Sequence, residues 1–95
     1  MRIILSPTTE PTLAEPDDFK AFSVTAAPGA ALDRLGRADG DTHVFVDPAV
    51  LRALPGARPD DAEWSASLDA MLAYAASKGW TDDAGHVRAH VAWQD

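Results

Sequence analysis

The 95-residue chain contains no cysteine. Disulfide bonds, thiolate metal sites, iron–sulfur ligation and cysteine nucleophiles are therefore excluded. Long hydrophobic runs are also missing, because the first apolar stretch covers only Ile3 to Leu5 and ends at Ser6-Pro7. This run is far shorter than a signal-peptide core or a membrane span. We therefore expect a cytoplasmic protein.

Basic residues are scarce and scattered. Eight Lys and Arg residues stand against 15 Asp and Glu residues, which gives a formal net charge of −7. Such a field repels phosphate backbones and anionic membranes, so we expect neither a nucleic-acid nor a membrane partner. The acids fall in pairs, such as Asp60-Asp61 and Asp82-Asp83, where helix capping and solubility account for them. An acidic mimic of nucleic acid remains a third alternative with little support.

The overall composition is that of an ordered globular protein, with 46% hydrophobic and 24% charged residues. A chain of this length buries only roughly two-thirds of its unfolded surface, which predicts one domain over 1–95. Two lysines beside abundant Ala, Arg and Asp are typical of a high-GC bacterial genome.

Two runs near the N-terminus predict strands, "MRIILS" (1–6) and "FKAFSVTA" (19–26), because they are rich in β-branched and aromatic residues. Between them, residues 7–18 carry three prolines and several acids. This composition predicts an extended surface loop, which is also a candidate lid over a pocket.

The middle of the chain predicts two short helices around one strand. Residues 28–37 begin with proline and place apolar residues at helical spacing. "THVFVD" (42–47) has three consecutive large apolar residues, which predicts a central strand covered on both faces. Asp47 then precedes Pro48, an N-cap followed by the residue favoured at the first helical position, and this helix ends before Pro55.

The most regular pattern runs from 60 to 79. Asp60 and Glu63 match a capping box, and Lys78-Gly79 matches a helix C-terminus. Between them, apolar residues recur at helical spacing, namely Trp64, Leu68, Met71, Leu72 and Ala75. This predicts a long amphipathic helix that packs on a sheet.

The stretch "GHVRAHVAW" (85–93) alternates polar and apolar residues from His86 to Val91. Alternation at period two favours a strand with His86, Arg88 and His90 on one face. A final helix capped by Thr81 is the alternative, which Gly85 and the valines disfavour. The expected fold is α+β, a sheet of about four strands with the 60–79 helix on one face and two shorter helices.

The choice between strand and helix decides whether the two histidines can share a metal ion. On a helix, His86 and His90 would be about 5–6 Å apart at Cβ and could chelate zinc. On a strand they lie roughly 13 Å apart, too far for one ion. We therefore expect no metal and no cofactor.

A strand instead presents Arg88 between two imidazoles on one face. Arginine can hold an anion while histidine moves a proton, which suits a cofactor-independent isomerase, dehydratase or cyclase that acts on a small organic anion or carbonyl compound. In this hypothesis His90, His86 and Asp47 are catalytic. Arg88, His43 and Trp93 bind the substrate.

No serine lies in a Gly-x-Ser-x-Gly elbow, and no phosphate-binding glycine loop is present. The alternative to an enzyme is a non-catalytic interaction module that docks through an edge strand or exposed tryptophans. For the enzyme, a homodimer in which Trp93 and Val91 pack across the interface is an open alternative. A solvent-exposed polar face on an edge strand would also account for His86, Arg88 and His90.

Overall fold

The computed structural model describes residues 1–94, which form a small α+β domain around one mixed six-stranded sheet. The strand order is β2-β1-β3-β6-β5-β4. The strands are β1 (Arg2–Leu5), β2 (Thr12–Ala14), β3 (Ser23–Ala26), β4 (Gly36–Asp39), β5 (His43–Val46) and β6 (Val87–Trp93). The helices are α1 (Pro48–Ala53), α2 (Ala62–Ser77) and a 3-10 turn (Leu32–Arg34).

The sheet combines parallel pairs in the middle with antiparallel pairs at both ends. β3 pairs in parallel with β1 and with β6, whereas β1–β2, β4–β5 and β5–β6 are antiparallel. The last strand of the chain is therefore a central one.

Within the described residues, 1–94, one face of this sheet is covered and the other is not. Along β6, Val87, Ala89 and Val91 are buried, whereas Arg88 and His90 are exposed. The buried face packs against α2 through Trp64, Leu68 and Ala75, which are at most 5% exposed. We call the other side the open face. Its side chains include Arg2, Ile4, Ser23, Thr25, Arg37, His43, Phe45, Arg88 and His90.

The sheet has six strands where four were predicted. The segment 7–18, expected to be a loop, contains β2, in which Leu13 is buried and its N–H donates to the carbonyl of Pro55. The prolines lie outside the three paired residues, which is why a Pro-rich segment can still supply an edge strand.

The helix expected over 28–37 is also wrong. Its only helical part is the 3-10 turn, and β4 begins at Gly36. Gly36 lies opposite Val46, where an added Cβ would meet the carbonyl oxygen of Phe45. The glycine therefore admits the close approach of β5, a function that helical spacing does not reveal.

Three smaller predictions need correction. β5 was predicted to be a central strand covered on both faces, but it is second from an edge of the sheet. Its Phe45 side chain lies on the open face and is half-buried. Residues 19–22 lie outside β3. The N-cap of α2 is Asp61, which accepts from the N–H groups of Glu63 and Trp64.

Three secondary-structure predictions are confirmed. Asp47 caps α1 by accepting from the N–H of Ala49, and α2 occupies most of 60–79. The alternation before Trp93 forms a strand and not a helix. Within residues 1–94, no helix has the length and apolar character needed to cross a membrane.

Candidate functional site

The open face brings five of the six predicted site residues into one arrangement on β5 and β6. Opposite His90 lies His43, and opposite Arg88 lies Phe45. His86 directly precedes β6, and its imidazole faces Asp47 directly after β5. We call these three pairs the open-face ladder.

Backbone bonding brings the side chains of the ladder close together. The N–H of Val91 donates to the carbonyl of Thr42, the residue before His43. The N–H of Arg88 points away from β5 and donates to Trp80. This pattern makes both pairs the non-hydrogen-bonded type, in which the Cα atoms are only about 4.5 Å apart and the side chains are closest.

One end of the ladder places a histidine between two carboxylates. His86 Nε2 lies 3.8 Å from Asp47 Oδ2, and Nδ1 lies 3.8 Å from Asp82 Oδ2. The His86 side chain is 24% exposed, and within residues 1–94 its buried Nδ1 has no hydrogen-bond partner. The imidazole therefore lies between the two carboxylates without a hydrogen bond at Nδ1.

Asp82 organises the loop that carries His86. Its Oδ1 accepts from the N–H groups of Ala84 and His86, and its Oδ2 is 3.3 Å from the Arg37 guanidinium. Burial alone would raise the pKa of this carboxyl, but those hydrogen bonds outweigh it and lower the pKa below its usual value of 3.8. Asp82 is thus a charged anchor.

Arg37 also touches the middle of the ladder. Its guanidinium carbon lies 4.4 Å from the centroid of the Phe45 ring, a cation–π contact. Arg37 therefore connects the middle pair with the loop at the His86 end.

The other end of the ladder pairs His43 with His90, and their ring centroids are 5.3 Å apart. His43 Nδ1 is 3.0 Å from the Thr42 hydroxyl. The histidines at 86 and 90 thus belong to different ends of the ladder and have different partners.

Arg88 is also one of the residues that line a cavity of about 530 Å³, together with Val87, Trp80 and residues of α2. β3 begins only opposite His90, so the first residues of β6 pair with Trp80-Thr81 instead. The cavity lies where this change of partner occurs. Its apolar lining includes Phe19, Phe22, Met71, Tyr74, Trp80 and Val87, and its two cationic residues are Lys20 and Arg88.

These two cations differ from the rest. Within residues 1–94, six of the eight Lys and Arg residues have a partner: four pair with carboxylates, Arg34 donates to backbone carbonyls and Lys78 lies over the Tyr74 ring. In the same part of the chain, neither Lys20 nor Arg88 has a side-chain partner of these kinds. The two unpaired cations are those of the cavity.

Trp93, the sixth predicted residue, lies outside the ladder. It is on the opposite parity of β6, is 40% exposed, and its indole N–H donates to the carbonyl of Asp41. Three residues near the ladder and the cavity were not predicted from the sequence, namely Arg37, Asp82 and Lys20. The acidic pair before Gly85 was a signal for Asp82, but helix capping and solubility already accounted for such pairs.

Comparison with known proteins finds no matching protein-family model, curated protein or solved structure. Nor do the histidines and carboxylates of residues 1–94 form a group of three or more arranged to hold a metal ion.

Proposed function

We propose that this protein binds a small organic anion or carbonyl compound with an apolar body, using Arg88 as the anchor. One observation carries the proposal. Within residues 1–94, Lys20 and Arg88 are the two cationic side chains without a carboxylate, carbonyl or aromatic partner, and both line the apolar cavity. In a chain of net charge −7, unpaired cations beside an apolar wall favour a ligand that brings its own negative charge.

The cavity suits a compact ligand. Its volume of about 530 Å³ lies within the usual range of small-molecule sites, about 300–1,000 Å³. Tyr74 and Trp80 form an edge-to-face pair with centroids 6.0 Å apart, which offers aromatic surface to an apolar body. Arg88 can hold a carboxylate bidentately, whereas Lys20 adds a point charge.

We propose further that the reaction is a cofactor-independent proton transfer of the isomerase, dehydratase or cyclase type, with His86 as the acid–base residue. His86 and Arg88 are two residues apart, about 6–7 Å at strand spacing. Asp47 and Asp82 flank the imidazole, each with a carboxylate oxygen 3.8 Å from a ring nitrogen, and would orient the ring. His86 does not line the cavity, so the ligand head must extend past Arg88 towards the open face.

His90 was expected to share the catalytic role with His86. Its position beside His43, at the far end of the ladder, favours His86 for proton transfer, because both ring nitrogens of His86 lie 3.8 Å from a carboxylate oxygen. His90 and His43 then contact the ligand only if it spans the length of the ladder.

A titration with matched ligands tests the binding step. We expect aryl and branched alkyl carboxylates, such as 2-naphthoate, to bind more tightly than their neutral amides. Arg88→Met should weaken carboxylate binding by about ten- to a hundredfold, the value of one charge-assisted hydrogen bond. Arg2→Met is the control. Arg2 is an exposed cation on β1 that already pairs with Glu15, so its substitution should leave the affinity for carboxylates unchanged. Equal affinity for acids and amides across the panel would contradict the proposal.

His86→Gln separates an enzyme from a binding protein. We expect this variant to bind carboxylates as the wild type does but to exchange no α proton with deuterated solvent when the ligand is a branched alkyl carboxylate that carries one. A wild type that binds and catalyses no exchange would leave binding standing and refute the acid–base role.

A second candidate function is a non-catalytic interaction module or homodimer. The observation that favours it is the bare sheet face, where Ile4 is 40% exposed. Trp93 is equally exposed at the end of β6, whereas Trp64 is buried in the core and cannot take part. Shielding of Ile4 and Trp93 from solvent with rising protein concentration, without any carboxylate affinity, would favour this alternative.

A further inference from the structure

We infer that His43 and His90 form a chelating site for a borderline divalent metal ion such as Zn²⁺ on the open face. The inference does not depend on the proposed function, because it uses the end of the ladder that lies away from His86. Imidazole nitrogens are good ligands for zinc, copper and nickel.

The spacing of the two rings fits a shared ion. Two imidazoles bound at a Zn–N distance of about 2.0–2.1 Å and a tetrahedral angle have ring centroids roughly 5 Å apart. The centroids of His43 and His90 are 5.3 Å apart. The rings are inclined at 71°, so they must turn to point a nitrogen each at one ion. The broad χ2 preference of histidine makes such a turn inexpensive.

The backbone makes this arrangement persistent. His43 and His90 are directly opposite in an antiparallel pair of the close, non-hydrogen-bonded type, in the interior of the sheet. The strands therefore hold the two Cβ atoms near each other without help from the side chains.

The surroundings of His43 supply the support that metal-binding histidines need. Thr42 Oγ1 lies 3.0 Å from Nδ1 and can accept its proton, which leaves Nε2 unprotonated and free for a metal. A hydrogen-bond acceptor at the ring nitrogen that does not bind the metal orients the imidazole, and such acceptors are typical of metal sites. Asp39 lies opposite His43 on β4, and its negative charge favours a cation, while Arg88 two residues from His90 opposes it.

The site has two protein ligands, so water completes the coordination. This agrees with the absence, among residues 1–94, of a third histidine or carboxylate placed to join a metal group. An ion with open positions can take a further ligand, such as a substrate oxygen.

The test is a zinc titration of the full chain, free of any purification tag, above the ordinary histidine pKa of about 6.5. In the wild type we expect zinc to shift the Hε1 resonances of His43 and His90 together and to leave that of His86 in place. His43→Gln and His90→Gln should each weaken zinc binding by about tenfold or more. His86→Gln, the third histidine, is the matched control and should bind zinc like the wild type.

Three outcomes would overturn the inference: no binding by the wild type at millimolar zinc, unchanged affinity in both ladder variants, or loss of binding in His86→Gln alone. The wild-type resonances provide a readout that needs no variant. Both substituted side chains lie on the open face, and a backbone amide spectrum of each variant verifies that the fold is kept.

Discussion

Two adjacent isoleucines test whether the sheet really has one bare face. Ile3 is 0% exposed, and Ile4, its neighbour in β1, is 40% exposed. Ile3→Ala removes three buried carbons at ~0.8 kcal/mol each, and the cavity left behind increases the cost to about 3–4 kcal/mol. Ile4→Ala removes the same atoms from the open face, where the cost is at most about 1 kcal/mol.

The difference is large enough to measure by thermal and urea unfolding. For a domain of this size, each kcal/mol lowers Tm by about 4–8 °C, so Ile3→Ala should lose more than about 12 °C and Ile4→Ala less than about 8 °C. The urea m-values should stay equal, because both variants expose the same surface on unfolding. A cost for Ile4→Ala equal to that for Ile3→Ala would refute the bare face, and with it the accessibility of the ladder.

Two further predictions concern single positions, one at a close backbone approach and one in the loop that carries His86. Gly56→Ala should destabilise the protein far more than Gly40→Ala: both glycines have positive φ, but only at Gly56 would the new Cβ meet the carbonyl oxygen of Leu13. Equal losses of Tm would contradict this reason. Asp82→Asn should lower stability at neutral pH, because the charged carboxylate pairs with Arg37. Since the folded pKa of Asp82 is lowered, its contribution is present above the unfolded pKa of about 3.8 and is lost as pH falls through the folded pKa. Wild type and variant should therefore converge in unfolding scans well below pH 3.8, and a gap that persists there would contradict the anchor.

Sequence patterns predicted the helices and strands that depend on interactions between residues close together in the chain. Asp47 before Pro48 specified the start of α1, and alternation from His86 to Val91 specified a strand. β2 and β4 were missed because their strand character comes from neighbours distant in sequence. The N–H of Leu13 donates to the carbonyl of Pro55, and Gly36 is required because the carbonyl oxygen of Phe45 approaches it closely.

The same distinction applies to the site. The alternation of polar and apolar residues predicted that His86, Arg88 and His90 lie on the same face of a strand. Their partners on and beside β5 could not be predicted, because they depend on a strand register that no local pattern specifies. Lys20 could not be connected with Arg88 from the sequence, because the cavity between them forms only where β3 gives way to Trp80-Thr81.

Binding of an anion by Arg88, beside the cavity that it lines, is tested by a wild-type heteronuclear NMR titration with 2-naphthoate, with 2-naphthamide as the matched neutral ligand. We expect saturable shifts at the Arg88 Nε–H and the Trp80 indole N–H with the carboxylate and much weaker shifts with the amide. Shifts confined to residues outside the cavity, or identical for both ligands, would contradict it.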